Sequence, residues 1–275
     1  MLRSLKTRLF GDNSEQIRQQ ESAKKKKTVQ ELKQALEFNQ RPVLTYRDLQ
    51  KIAKREALRY QQAEPFPHIV MDNFFDRAII RKVRREVNNM DRTVFHETAD
   101  SHEIKQSTEN DSHLGPFTWR LVQSLNSGAF VAFLEVLTGT KGLITDPPLR
   151  GGGVHEVRRG GKLGIHADFN YYKRLKLYRR LNLSLYLNHG WDEAWGGHLE
   201  LWDRDKTRCC QRISPLFNRM VIFSTSSVSF HGHPRPLNCP EDESRTSVAL
   251  YYYTVDCPDE SDTAPHGTQF VDVPV

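Results

Sequence analysis

Cysteine is scarce: the 275 residues contain four, two of them adjacent at Cys209 and Cys210. So few in a chain of this length exclude a disulfide-framed scaffold, and a reducing, cytoplasmic setting is expected. Long apolar runs are missing too. Nothing approaches the roughly 20 apolar residues that a membrane-spanning helix needs, and MLRSLKTRLFG lacks the uninterrupted apolar centre of a signal peptide. The triple glycine at Gly151 is followed by neither a Lys-Ser/Thr pair nor a helical pattern, which excludes a phosphate loop. Acidic residues are thin only at the start. Residues 1 to 60 hold 15 Lys/Arg against 7 Asp/Glu, a surplus of +8, and the net +6 of the whole chain leaves −2 for the rest. The sequence pI near 9.1 therefore belongs to an N-terminal arm, and no specific nucleic-acid binding is expected of the remainder.

Hydrophobic residues make up 37% of the chain, enough for one sizeable core. We expect a basic helical arm or linker over 1 to 60, a catalytic domain over 61 to 256, and a polar tail over 257 to 275 to which no chemistry is assigned. Within the arm, Leu2, Leu5, Leu9 and Phe10 give a short amphipathic face, Val29, Leu32 and Leu36 fit one helix, and Thr45 with Asp48 reads as the capping box of another. PFPHIVMDNFF reads as a strand at a sheet edge, where two prolines are tolerated. Asp76 should cap a helix with Ile79, Ile80, Val83, Val87 and Met90 on one face. Two further helices fit 116 to 126 and 128 to 138, the second stopped at Gly139. The polar stretch 96 to 114, with His96, His102 and His113, reads as a mobile loop of the kind that can cover a site.

The chemistry concentrates in GGKLGIHADFN. On a strand, His166 and Asp168 point to one face and can grip one ion. The best third donor is His231, after the apolar run Met220 to Phe223; His233 is its rival, because a His-x-His pair can also bind metal. Two His and one carboxylate make the facial triad of non-haem Fe(II) oxygenases and leave positions open. The same three could instead hold a zinc ion that activates water in a hydrolase. Downstream, Leu181, Leu183, Leu185 and Leu187 alternate with Asn182, Ser184, Tyr186 and Asn188, giving a strand with one apolar and one polar face, and GGHLELW gives another. A last strand opens with Arg245 and keeps Ser247 on the same side; an arginine there can clamp a carboxylate. The cations Lys173, Arg174, Lys176, Arg179 and Arg180 read as a solvated loop whose place at the site mouth would attract an acidic substrate or 2-oxoglutarate itself. His198 reads as a hydrogen-bonded turn residue.

Taken together, His166-x-Asp168, YLN, GGHLELW, HGHPRPL and Arg245 at the head of the last strand resemble the iron and 2-oxoglutarate dioxygenases of the prolyl 4-hydroxylase type, over roughly residues 64 to 256. The resemblance implies an α+β chain with a double-stranded β-helix, or jelly-roll, core flanked by supporting helices. It implies Fe(II) on His166, Asp168 and His231, the His-Gly-x-Pro pattern selecting His231 over His233. It also implies that 2-oxoglutarate is held through its distal carboxylate by Arg245 with Tyr186 and, as a further candidate, Ser247. O2 would be the oxidant, ascorbate a reductant, and the outcome hydroxylation of an unactivated C–H with release of succinate and CO2. The substrate would be a prolyl peptide, or alternatively a small molecule or saccharide. His155 stands where relatives often place a tyrosine. A metal-binding jelly roll without activity is the remaining alternative.

Overall fold

Strand β8 (Leu177–Tyr186) organises the fold by burying both of its faces. Leu181 pairs with Tyr252 and Leu183 with Leu250 across the ladder to β13 (Ser244–Thr254), and cross-strand partners share a face. Tyr252 donates its hydroxyl to the carbonyl of Leu125 in the helical layer, so this leucine face is the one that the helices cover. On the other face Asn182 lies across from Phe223, whose ring meets His231 edge-on at 4.6 Å. The alternation in the sequence thus separates a helix-packed exterior from a polar barrel interior.

The computed structural model describes residues 19–22, 26, 45–108, 110–146, 148–257 and 264–273. The amphipathic face at Leu2 to Phe10 and the helix through Val29 to Leu36 lie outside them. Two compact units divide the chain, Met1–Val43 and Leu44–Val275. The second contains helix α1 (Tyr46–Gln61), capped by the Thr45 hydroxyl on the Asp48 N–H. Its Leu49, Ala53 and Tyr60 are buried, and the Tyr60 hydroxyl meets Ser224 of the sheet at 2.8 Å. Helix α2 (Arg77–Asn88) is capped by Asp76. Helices α3 (Pro116–Leu125) and α4 (Gly128–Thr138) follow, α4 capped by Ser127 and ended by Gly139 in the left-handed conformation that glycine adopts freely. Among the described residues no single helix is long and apolar enough to cross a membrane.

The strands form a nearly closed antiparallel barrel, a jelly-roll core. Strand β1 (His68–Asp72) is an edge strand, as its prolines predict. From it the path runs through β11 (Arg219–Ser224), β8, β13 and β5 (Gly153–Arg158) to β3 (Glu103–Ser107), then through β6 (Lys162–Ala167), β12 (His231–His233) and β9 (Leu199–Trp202) to β10 (Cys209–Ile213). The neighbours β8 and β9 in sequence do not pair with each other; they belong to opposite sides of the barrel.

One expectation is overturned. The 96 to 114 segment is not simply a loop: β2 (His96–Ala99) and β3 form a hairpin, and β3 sits inside the sheet between β5 and β6. Its polar residues concealed it. Lys105 pairs with Glu103 at 2.9 Å, so a charged pair occupies positions where an apolar side chain would have announced a strand.

Candidate active site

Strand β6 carries His166 and is paired on both sides. His231 of β12 lies directly opposite His166, so the two imidazoles share a face, with ring centroids 4.4 Å apart. Gly232 makes this approach feasible, because a Cβ there would stand 2.5 Å from the carbonyl oxygen of Gly164. Asp168 follows the end of β6 and turns back toward both rings, with Oδ1 3.6 Å from Nε2 of His166 and Oδ2 3.4 Å from Nε2 of His231. These three buried residues are the one group of three or more metal-ligating side chains among the described residues, and their ligand atoms lie within 4.8 Å of one another. His96, His102 and His113 do not join it.

The donor set fits a metal ion in its details. The Nδ1 atoms of His166 and His231 meet the carbonyls of Gly164 and Ser229 at 2.8 and 2.9 Å, which fixes the tautomer and leaves both Nε2 lone pairs facing Asp168. Burial pushes His231 down to about 4, so its ring is neutral as a ligand must be. Burial also works to raise Asp168, but Arg179, His231 and His166 outweigh it and hold the carboxyl well below its usual range. Two ligands about 2.1 Å from one ion stand roughly 3 to 3.5 Å apart, close to the separations seen.

Residues 152–253 match the family model described as "2OG-Fe(II) oxygenase superfamily". The matched segment contains His166, Asp168, Tyr186, His231 and Arg245. A stretch of 202 residues is 25% identical to the prolyl 3-hydroxylase OGFOD1 of Mus musculus, covering 69% of this chain but only 33% of that protein. The chain thus spans about a third of the length of this curated relative. Its fold is similar to a prolyl hydroxylase from Trichoplax adhaerens solved with a hypoxia-inducible-factor peptide (TM-score 0.56, 16% identity, 75% of this chain and 91% of that one). A Pseudomonas putida prolyl-4-hydroxylase is similar as well (TM-score 0.53, 14% identity, 75% and 98%).

The second cluster of expected residues lies on the same barrel interior. Ser247 of β13 stands opposite both Tyr186 and His155, and Arg245, two residues earlier, shares its face. Arg245 is buried, donates Nε–H to the carbonyl of Gly197 at 2.7 Å and Nη2–H to the Tyr186 hydroxyl at 3.1 Å. Gly197 is required for that contact: a Cβ would meet the Leu237 side chain at 2.6 Å and Arg245 Cδ at 2.9 Å, at a φ of +70°. Because the Tyr186 oxygen accepts from Arg245, its own hydrogen remains to donate to a ligand. Burial raises Tyr186, which keeps it a neutral donor. His155 meets the Gly151 carbonyl at 3.0 Å, and burial takes it down to about 3. His198 contacts Glu193, as a turn residue would.

Sequence reasoning missed the support of Asp168. Arg179, expected in a solvated loop, is buried; its Nη2 lies 3.2 Å from Asp168 Oδ2, and its Nε–H bonds Asn182 Oδ1 at 2.9 Å. Asn182 in turn donates to Asp168 Oδ2 at 2.8 Å. Strict alternation would have put Arg179 with Leu181 on the helix side. A β-bulge, in which Tyr252 faces Leu181 but Tyr253 faces Arg179, skips Arg180 and turns Arg179 inward. The C-terminal tail was missed too. Its β14 (Gln269–Phe270) pairs with β6 so that Phe270 stands opposite His166, and the Phe270 ring stacks on His102 at 4.5 Å.

Proposed function

We propose that this chain hydroxylates a prolyl residue or a chemically similar unactivated C–H, with His166, Asp168 and His231 holding Fe(II) and Arg245 holding 2-oxoglutarate. What carries the reading is the joint placement of a two-histidine, one-carboxylate cluster and a buried guanidinium with N–H donors to spare inside one barrel. When bound, Fe(II), 2-oxoglutarate and O2 supply the oxidant, and the co-substrate leaves as succinate and CO2. The chain's own part is positioning. Arg245 offers a planar pair of N–H donors to the distal carboxylate, Tyr186 adds its hydroxyl, and Ser247 borders the same space. The neutral imidazoles and the anionic Asp168 leave a divalent ion a residual charge of about +1, which favours a chelating anion. Phe223, whose ring meets His231, and Leu201, paired with His231 across the ladder, are both buried and exclude water.

A zinc hydrolase would use the same three ligands but gives Arg245 and Tyr186 no task. Similarity to OGFOD1 and to two prolyl hydroxylases of known structure supports a prolyl target. We further propose ascorbate as an accessory reductant. The scarcity of cysteine, four in 275 residues, supports a cytoplasmic location. The test is anaerobic: 2-oxoglutarate added to the Fe(II)-loaded chain should give a visible charge-transfer band, which His231→Ala abolishes and His233→Ala leaves. With O2, prolyl peptides should gain one oxygen atom by mass as succinate forms. A band that survives His231→Ala and vanishes with His233→Ala would reassign the ligand.

A further inference from the structure

Beside Asp168 lies a pocket of about 550 Å³, within the range of ligand sites. Its floor is aromatic, from Phe169, Tyr171 and Tyr172, and its cationic groups are Arg150, Lys173 and Arg174. Among the described residues, no acidic side chain lines it. Tyr171 and Tyr172 form the short strand β7, paired with Tyr178 and Leu177 of β8, and the Tyr171 and Tyr178 rings lie 4.9 Å apart. Phe169 is backed by the Arg179 guanidinium, 4.8 Å from its ring centroid, and that same guanidinium contacts Asp168. The floor is therefore fixed to the metal cluster through one side chain. The cations are exposed and form no ion pair among the described residues. The acid near Arg150 is Asp146, which is buried and accepts the backbone N–H of Arg150.

From this arrangement we infer that the pocket is a substrate subsite for an acidic peptide, binding a carboxylate side chain close in sequence to the residue that is oxidised. The inference rests on the hydroxylase reading above. A cationic rim attracts an anionic segment, and an aromatic floor packs its aliphatic stem while the carboxylate stays near water. 2-Oxoglutarate has a separate anchor at Arg245, on β13, so the rim is not needed to hold it.

The test uses the full chain loaded with Fe(II) and 2-oxoglutarate under anaerobic conditions, and three fluorescent peptides that differ only in the residues flanking one proline: Glu, Gln or Lys. Fluorescence anisotropy should rank Glu above Gln by roughly tenfold at low salt, with the gap closing as salt rises. The double variant Lys173→Glu/Arg174→Glu should reverse the order and prefer the Lys peptide, an outcome that misfolding does not produce. Lys51→Glu/Lys54→Glu on α1 supplies the control charge change and should leave the ranking as it was. Equal binding of the Glu and Gln peptides would overturn the inference. So would a double variant that weakens 2-oxoglutarate as much as it weakens the Glu peptide, since the rim would then serve the co-substrate. Loss of the 2-oxoglutarate absorption band in the unmutated chain would instead count against the hydroxylase reading, with the peptide ranking read separately.

Discussion

Replacing Arg245 with alanine asks whether the guanidinium holds the co-substrate, and the structure sets the size of the answer. Two of the five N–H groups of Arg245 are engaged, one by the Gly197 carbonyl and one by Tyr186, which leaves the others for a carboxylate. A charged hydrogen bond contributes about 1.5 to 3 kcal/mol, so a bidentate pair is worth about 3 kcal/mol or more. Losing one partner of a buried charge pair costs about 2 to 5 kcal/mol. The Tyr186 hydroxyl remains as a neutral donor and offsets little of this. The orphaned Gly197 carbonyl destabilises the chain with or without ligand, so it lowers the melting temperature and cancels from the affinity. The expected loss is thus about 100-fold to a few thousand-fold in 2-oxoglutarate affinity. Arg245→Lys, which keeps charge but loses the planar fork, should fall between. Anaerobic titration of the Fe(II) protein, followed by its visible band, reads the dissociation constant, and Fe(II) stoichiometry should be unaltered. A dissociation constant within threefold of the unmutated value would refute the assignment.

Three further outcomes are expected. Arg179→Met leaves Asp168 with Asn182 alone and should weaken metal binding about 10- to 100-fold by competition with a chelating dye; unchanged affinity would remove Arg179 from the metal site. Ending the chain at residue 263 deletes β14 along with Val271 and Val273, which pack near Ile165 and Ala167, and should lower both the melting temperature and metal affinity; an unaltered melting curve would make the strand incidental. Arg219, bonded to Asp72 at 2.6 and 2.8 Å, depresses the Asp72 carboxyl, so the stability it contributes is present above about pH 4 and lost as pH falls through the depressed value. Asp72→Asn should then destabilise the protein at pH 7 more than at pH 3 in urea melts, and an equal shift at both would show that the charge is not involved.

Much of the site was legible because it follows local periodicity. The leucine alternation of β8 and the shared face of Arg245 and Ser247 are consequences of the strand repeat, whereas Asp168 lies past the end of β6 and reaches His166 by turning back. The helix caps at Thr45, Asp76 and Ser127 were visible for the same reason: each depends on a few neighbouring residues. What escaped depends on the tertiary setting. Strand β3 is polar because Lys105 finds Glu103 and the barrel interior, not because it faces solvent. Arg179 faces inward because of one inserted residue, and a bulge leaves no mark in an alternating pattern. Strand β14 has two residues and no pattern; its reason to exist is the open edge of β6.

The three side chains of the metal cluster are held by different means, and this explains which residues the sequence concealed. His166 and His231 are fixed by ladder register, with β3 covering the start of β6, β14 its end, and β12 its other side. Asp168 lies one residue beyond the strand, where no ladder bond orients it. A carboxylate in that position needs side-chain partners, and Asn182 and Arg179 supply them from β8. The same guanidinium lies 3.5 Å from the ring centroid of Tyr251 and also faces Phe169, the floor of the cationic pocket. One buried arginine therefore touches both the ligand that most needs support and the wall against which a substrate would rest, so its replacement by an apolar residue acts on metal and substrate together.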